Sequence, residues 1–193
     1  EGGRIFPVDG SEPGVELAQV AALCFQDGIS LREEGWFKAS HGALQGHTFM
    51  ASLADVAVDV LTGTVTVKKL VCSHDTGKAI NPLGVIGQLY GGAVQSQGYA
   101  LTENLLCEDG EVRTASLTEY LVPTSLDIPP ELTAVIVEEA SPTGPFGAKG
   151  LGEHVMGSVP PAILNAVCDA VGARLTRLPI HPQEVLDAIQ RNA

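Results

Sequence analysis

The sequence is short of basic side chains and of long apolar runs. Its 193 residues carry 11 Lys and Arg against 23 Asp and Glu, which gives a net charge of −12 at pH 7. Such a chain is a poor candidate for nucleic acid, because that binding depends on neutralising phosphates. It also lacks the polybasic segment that attracts proteins to anionic membranes. No apolar run approaches the roughly 20 residues that a membrane span needs. We therefore expect a soluble cytoplasmic protein with neither nucleic acid nor a membrane as partner.

Clustered cysteine and histidine are missing as well. The four cysteines and five histidines are scattered. No pair has the C-x-x-C, H-x-x-x-H or H-E-x-x-H spacing that is typical of zinc or iron–sulfur ligands. The cysteines are too few for a disulfide scaffold in a chain of this size. We therefore expect no metal ion to be held by this chain's own side chains.

Apolar periodicity predicts an α+β fold in which a β-hairpin or sheet packs against helices. Two stretches with strand-like alternation flank Thr62-Gly63 and predict an antiparallel hairpin. The predicted strands cover 47–60, 64–71 and 131–139. Helical spacing of apolar residues predicts further elements, namely helices at 14–27, 83–104, 162–171 and about 181–191. Gly28 is expected to end the first of these helices.

Glycine, by contrast, is abundant, with 22 residues concentrated at 84–98 and 144–157. Each glycine in a helix interior costs about 1 kcal/mol relative to alanine. A helix that accepts several glycines indicates close approach by other backbone or by a large ligand. Three glutamines, Gln88, Gln95 and Gln97, lie among the first group. Their amides suit a polar, anionic cofactor that must be oriented, although solvated glutamines on a packing helix are the alternative.

Two loops could carry chemistry. Residues 75–82, Asp-Thr-Gly-Lys-Ala-Ile-Asn-Pro, follow a predicted strand and on their own indicate a tight loop. Residues 144–153, Gly-Pro-Phe-Gly-Ala-Lys-Gly-Leu-Gly-Glu, offer backbone N–H groups that can cradle an anion, but the spacing is not that of a Walker A loop. Glu153 could cap a helix start or act as a general base on a rigid loop. The residues alone leave both roles open.

Several motifs occur in a fixed order along the chain. They are Asp75-x-Gly77-x-x-x-Asn81-Pro82, Gly87-Gln88, Gln95-x-x-Gly98 followed by Glu103, Tyr120-x-x-Pro123-Thr124 with Asp127, and Gly147-Ala148-Lys149-Gly150-x-Gly152-Glu153. Any one of them is weak evidence, but the ordered set resembles the molybdenum hydroxylase family. That family comprises the molybdopterin-binding large subunits of xanthine dehydrogenases and aldehyde oxidases. The resemblance covers about residues 40–190.

The resemblance implies that residues 1–193 form a C-terminal portion of the molybdopterin-binding domain of a larger subunit, with 1–40 outside the matched stretch. The implied cofactor is molybdenum–molybdopterin, and its cytosine dinucleotide form is left open. The 2Fe-2S clusters and FAD would lie on partner chains or domains. The upstream half of the subunit would be a further partner. A split subunit, a truncated product or an expressed fragment would each fit, and the chain alone would be incomplete and inactive.

The resemblance also implies a role for Glu153, which falls on the family's catalytic base. It would take the proton from a molybdenum-bound hydroxyl, whose oxygen then attacks an electron-poor carbon while hydride leaves to the metal centre. Where the family shows Pro-Pro after this glutamate, the chain has His154-Val155. His154 could touch the substrate, or it could be an ordinary surface or packing residue.

Other positions of the motifs would contact or surround the cofactor. Gln95 matches the family's pterin-contacting glutamine, with Gly98 beside it, and Gln88 matches the Gly-Gln pair. Ser96 replaces the glycine that often follows the glutamine, so Gln97 is an alternative cofactor contact. The pocket loop would be shaped by Lys149 and its neighbours, namely Gly147, Ala148 and Gly150.

The implied function is that of a xanthine dehydrogenase-like enzyme, which hydroxylates an electron-poor carbon of a purine with oxygen from water. Oxidation of an aldehyde or of another N-heterocycle is the enzymatic alternative, because the substrate-binding residues of purine oxidisers have no counterpart in this chain. A hypothesis of another class is a non-catalytic remnant that serves as an assembly or interaction domain. Sequence does not identify the substrate or the electron acceptor.

Overall fold

The computed structural model describes residues 3–6, 13–36 and 46–192, which belong to two compact units, 1–40 and 41–193. In the first unit, β1 (Arg4–Ile5) pairs antiparallel with β2 (Val15–Glu16), which leads directly into α1 (Leu17–Gln26). The helix ends at Gly28, whose φ of 65° lies in the left-handed region that glycine favours. The predicted first helix and its terminating glycine are thereby confirmed.

A three-stranded sheet forms the centre of the second unit. Its strands are β3 (Met50–Val58), β4 (Val65–Asp75) and β7 (Glu131–Val137), in the order β3-β4-β7. β3 and β4 are antiparallel, and the turn between them contains Gly63 at φ 73°, so the predicted hairpin is confirmed. β7 runs parallel to β4, from Lys69 opposite Glu131 to Asp75 opposite Val137.

Helices cover one face of this sheet. α2 (Pro82–Leu101) and α3 (Val159–Val171) contact the strands, and α4 (Pro182–Asn192) packs on α3. Strand alternation turns every second residue of β3 and β4 toward the helices. The fully buried side chains of this core include Leu70, Leu89, Ile163, Val167 and Val185. The sheet packed with helices confirms the expected α+β class.

The helix ends follow their local sequence. At the start of α2, the Asn81 side chain accepts a hydrogen bond from the Gly84 N–H at 3.1 Å. This helix ends at Leu101, three residues earlier than expected, and a short hairpin follows in which β5 (Cys107–Glu108) pairs with β6 (Glu111–Val112). No helix among the described residues combines the length and apolarity needed to cross a membrane.

The later helices confirm the predicted positions. α3 begins at Val159, three residues before its predicted start, because Pro160 and Pro161 stand in its first turn, where a missing N–H is tolerated. It ends at Gly172 with φ 68°. α4 lies within one residue of the predicted range at each end. All four predicted helices are therefore present.

Candidate functional site

Two of the sequence motifs meet at the C-terminal end of β4. The turn after Asp75 and the loop 144–150 are joined by backbone hydrogen bonds, from Lys78 N to Gly147 O and from Lys149 N to Thr76 O, each 2.8 Å long. Gly77 has φ 63°, and a Cβ there would lie 2.3 Å from Gly147 O. Only glycine fits this crossing, so two loops about 70 residues apart form one structural unit.

A buried ion pair fixes the same junction. Lys149 Nζ lies 2.5 Å from Asp75 Oδ2, and the two side chains are only 8% and 7% exposed. Asp75 Oδ1 also accepts hydrogen bonds from the N–H groups of Gly77 at 2.9 Å and Glu139 at 3.3 Å. Burial acts to raise the pKa of Asp75, but Lys149 and the two N–H groups outweigh it and hold that pKa below its usual range. Lys149 therefore shapes the loop through Asp75.

Two histidines stack beside this ion pair. The His74 and His154 rings lie 5.6 Å apart between centroids, at an interplanar angle of 28°. His74 Nε2 lies 3.3 Å from Gly150 O, and His154 Nδ1 lies 2.6 Å from Leu151 O. Because carbonyl oxygens only accept, each of these ring nitrogens donates. Burial is the main reason that the pKa of His74 is lowered, which favours the neutral ring.

Glu153 lies in a 3-10 turn, Gly152–Gly157, directly before α3. Its side chain is exposed in an open cavity of about 520 Å³ that is also lined by Met50, Leu151 and His154. The carboxylate has no hydrogen bond or ion pair with any other described residue. The turn rests on α2, where a Cβ on Gly92 would lie 2.9 Å from Cβ of Val155. The structure thus presents an unpaired carboxylate on a turn packed closely against a helix.

One exposed face of α2 carries glycines and free amides. Gln88 and Gln95 are exposed on it, and within the described ranges neither amide has a hydrogen-bond partner. A Cβ on Gly87 or Gly91 would have no atom within 4 Å. Gln88 lines a groove of about 380 Å³ together with Lys149, so the structure brings these two predicted site residues together.

Gln95 lies farther along the same helix. Gln95 lies seven positions after Gln88, which corresponds to about 10 Å of helix, and Gly92, which contacts the Glu153 turn, lies between them. Gln95 is not among the residues that line the cavity of Glu153. The turn that carries Glu153 and the helix that carries Gln95 are in contact, but the lining of the Glu153 cavity does not extend to Gln95.

Gln97 and Gly98 face a different loop. Gln97 is buried, and its Nε2 donates to Asp127 O at 2.7 Å, while its Oε1 has no partner among residues that the structure describes. A Cβ on Gly98 would lie 2.5 Å from Cδ of Pro123. Both residues line a cavity of about 370 Å³ at the C-terminal end of α2. They are therefore separated from the cavity that contains Glu153.

Other motif residues make contacts within the protein. Tyr120 donates its hydroxyl to Glu103 Oε2 at 2.7 Å. Asp127 Oδ2 accepts from the N–H and hydroxyl of Thr124 at 2.7 and 2.8 Å, and these bonds lower the pKa of Asp127. His74 belongs to no motif, and sequence reasoning missed it. The signal that could have found it was its alternating register on β4, which turns it inward beside Asp75.

The comparisons with known proteins agree on one family. A family model described as "Molybdopterin cofactor-binding domain" matches residues 1–129. Over 138 residues the chain is 41% identical to an aldehyde oxidoreductase of Megalodesulfovibrio gigas, covering 72% of this chain and 15% of that protein. Over 147 residues it is 37% identical to a probable xanthine dehydrogenase subunit of Bacillus subtilis (strain 168), covering 75% of this chain and 19% of that protein.

A solved structure of a related enzyme also resembles this chain. The quinoline 2-oxidoreductase from Pseudomonas putida 86 superposes with a TM-score of 0.65 at 35% identity, covering 70% of this chain and 18% of that one. The chain therefore spans less than a fifth of the length of each of these three relatives.

Proposed function

The chain belongs to the molybdenum hydroxylase family, as a molybdopterin cofactor-binding domain, and from this premise we propose that it is part of a xanthine dehydrogenase-like enzyme. Residues 1–193 would be the C-terminal portion of the cofactor-binding subunit of a cytoplasmic complex. The reaction would be hydroxylation of an electron-poor purine carbon with oxygen from water. Support for a purine comes from the likeness to a probable xanthine dehydrogenase subunit.

The described residues fit a large, polar, anionic pterin. The exposed face of α2 offers the free amides of Gln88 and Gln95, and Gly87 and Gly91 leave space for a close approach to the helix backbone. We propose that Gln95 contacts the pterin and that Gln88 borders it next to the Lys149 loop. When bound, the molybdenum cofactor supplies the two-electron oxidation that no side chain of this protein can provide.

The candidate general base is Glu153, and its unpaired carboxylate is the observation that supports the proposal most. A general base must be within hydrogen-bond reach of the proton that it removes. Its carboxylate must also not be engaged in an ion pair within the protein. Glu153 meets the second condition, because it has no partner in the described part of the chain. One carboxylate oxygen would accept the proton of the attacking hydroxyl. The Asp75–Lys149 ion pair would keep the supporting loop in place during that transfer.

The proposal includes partners that the chain itself does not provide. The remainder of the cofactor-binding subunit would close the cavity in front of Glu153 and supply the residues that recognise the substrate. Iron–sulfur and FAD subunits or domains would accept the electrons, and the cytosine dinucleotide is one form that the pterin could take. The relatives' greater length and the subunit name of the Bacillus subtilis protein support this arrangement. An aldehyde is the second candidate substrate, since a relative is an aldehyde oxidoreductase.

The test uses the chain purified in its complete complex. Molybdenum content and turnover of xanthine and benzaldehyde are measured for the wild type and for Glu153→Gln, Gln95→Ala and Glu119→Gln. Glu153→Gln should retain molybdenum and lose turnover by about 10²–10⁴-fold, whereas Gln95→Ala should lose molybdenum. Glu119 lies exposed in a loop outside the site and serves as the matched carboxylate control.

Each other result has a defined meaning. Unchanged turnover in Glu153→Gln would exclude Glu153 as the base. Oxidation of benzaldehyde but not of xanthine would favour the aldehyde hypothesis. A complex that assembles but never contains molybdenum would favour the assembly-domain hypothesis.

A further inference from the structure

One of the stacked histidines, His154, follows Glu153 in the same turn, and the other, His74, lies on β4. We propose that His74 and His154 are positioning residues that hold this turn, and with it the Glu153 carboxylate, against the end of β4. The proposal rests on the proposed role of Glu153 as the base. It adds two residues to which neither the motifs nor the comparisons assign a function.

Four contacts restrain His154, although its side chain is exposed. Its Nδ1 donates to Leu151 O at 2.6 Å, and its backbone N–H donates to the same oxygen at 3.1 Å. Its ring stacks on His74. It also lies over Gly150, where a Cβ would come within 2.7 Å of His154 Cε1. Since Glu153 and His154 share a peptide bond, restraining the His154 ring and N–H restrains the backbone that directs the Glu153 side chain.

His74 provides the fixed side of this contact. It is 1% exposed and is paired across the sheet with Met50 on β3 and Ile136 on β7, so its position is set by the sheet. Its Nε2 donates to Gly150 O, while Asp75, the next strand residue, binds Lys149. Two consecutive residues of β4, His74 and Asp75, therefore bind two consecutive residues of the loop 144–150. Because the loop continues directly into the Glu153 turn, the sheet edge anchors the turn.

The chemistry of the pair suits a positioning role better than a role in proton transfer. Both hydrogen-bonded ring nitrogens are committed to backbone carbonyls. His74 Nδ1 is buried without a partner among the described residues, and His74 is not among the residues that line the Glu153 cavity. A group that acts only through another residue should change the rate of the chemical step while leaving substrate affinity nearly unchanged.

The experiment compares His154→Ala, His154→Asn and His181→Ala in the complete purified complex. Asparagine places an amide N–H near the position of Nδ1 and so preserves the donor to Leu151 O. His181 is an exposed histidine at the start of α4, outside the site. The measurements are kcat and KM, molybdenum content, and hydrogen exchange of the backbone amides of 152–157, the last in complexes with and without molybdenum.

For His154→Ala we expect kcat to fall about five- to tenfold, the effect of one lost neutral hydrogen bond, with KM and molybdenum content unchanged. Exchange at 152–157 should accelerate by a similar factor whether or not molybdenum is present. His154→Asn should recover most of both effects, and His181→Ala should show neither. His74→Phe, which keeps a ring for stacking but loses the bond to Gly150, should change kcat and exchange in the same direction.

The contradicting results separate this inference from the proposed function. Wild-type exchange in His154→Ala, or faster exchange with unchanged kcat, would overturn the positioning role. Combining His154→Ala with Glu153→Gln should give no further loss, because a residue that acts through the base has no effect once the base is gone. Full turnover in Glu153→Gln alone would instead refute the proposed base, whatever the exchange rates show.

Discussion

Replacing Lys149 with methionine tests whether the buried ion pair holds the two loops together. The change removes the ammonium but keeps an unbranched side chain, so it leaves the Asp75 carboxylate buried without its cation. Breaking a buried ion pair from one side costs about 3–5 kcal/mol. Asp75 retains two backbone N–H donors, so we expect a loss near the lower limit, about 3 kcal/mol. For a chain of this size that corresponds to a decrease in Tm of about 6–12 °C.

The assay is urea unfolding of the 193-residue chain. The free energy of unfolding is obtained from the midpoint urea concentration, provided that its dependence on urea concentration is the same in each variant. Lys69→Met is the matched control, because Lys69 and Glu131 also form an ion pair, at 2.8 Å, but their side chains are 41% and 65% exposed. Its effect should be much smaller, since exposed pairs contribute little. Equal losses in the two variants would refute the argument. Asp75→Asn combined with Lys149→Met should recover part of the loss, because no buried charge is then left unpaired.

The same ion pair gives a prediction about acid. Because the pKa of Asp75 is lowered in the folded protein, its stabilising contribution is complete above pH about 4 and is lost as the pH falls through the lowered pKa. Removing Lys149 takes away one cause of that lowering. Acid unfolding of Lys149→Met, followed by circular dichroism, should therefore begin at a higher pH than in the wild type, and unfolding at the wild-type pH would contradict this.

Two further predictions concern α2 and His74. Gly92→Ala should destabilise the protein by about 1–3 kcal/mol, because the new methyl group would meet Val155, whereas Gly91→Ala should stabilise it by up to about 1 kcal/mol. Similar midpoints of thermal unfolding for the two variants would contradict this. If the pterin lies on the exposed face of α2, Gly91→Ala should also lower the molybdenum content of the complex. Since the pKa of His74 is lowered, the unfolded chain binds a proton below pH about 6.5 that the folded chain does not. Stability should therefore decline as the pH falls below about 6.5, and His74→Phe should flatten this decline in urea titrations between pH 5 and 7; an unchanged slope would contradict the assignment.

Apolar periodicity was sufficient to predict most of the secondary structure. The hairpin of β3 and β4 follows from alternation around Gly63, and the helices follow from apolar spacing with terminating glycines. The parallel pairing of β7 with β4 was not predictable in this way, because alternation shows which face of a strand is buried and not which strand lies beside it. The 3-10 turn at 152–157 was also missed, since its glycine-rich sequence has no period.

The site was predicted less completely than the fold, for a related reason. Resemblance gave Glu153, Gln95 and the Lys149 loop as candidates, but it could not supply the contacts between them. Lys149 bears the charge expected of a residue that binds an anion, yet it pairs with Asp75. Gln97, the alternative cofactor contact, donates its amide N–H to the backbone oxygen of Asp127. Such partners depend on tertiary packing between distant parts of the chain and leave no local pattern in the sequence.

The contacts divide the motif residues into two groups. Asp75, Lys149 and the Tyr120–Glu103 pair are satisfied within the protein, and their chemistry is sufficiently explained by holding loops in place. Glu153 and the two exposed glutamines of α2 have polar groups with no partner in the described part of the chain. Under the proposed function, the partners of these groups would lie in a cofactor, a substrate or the rest of the subunit. The division therefore tells which substitutions should reduce stability and which should reduce cofactor binding or turnover alone.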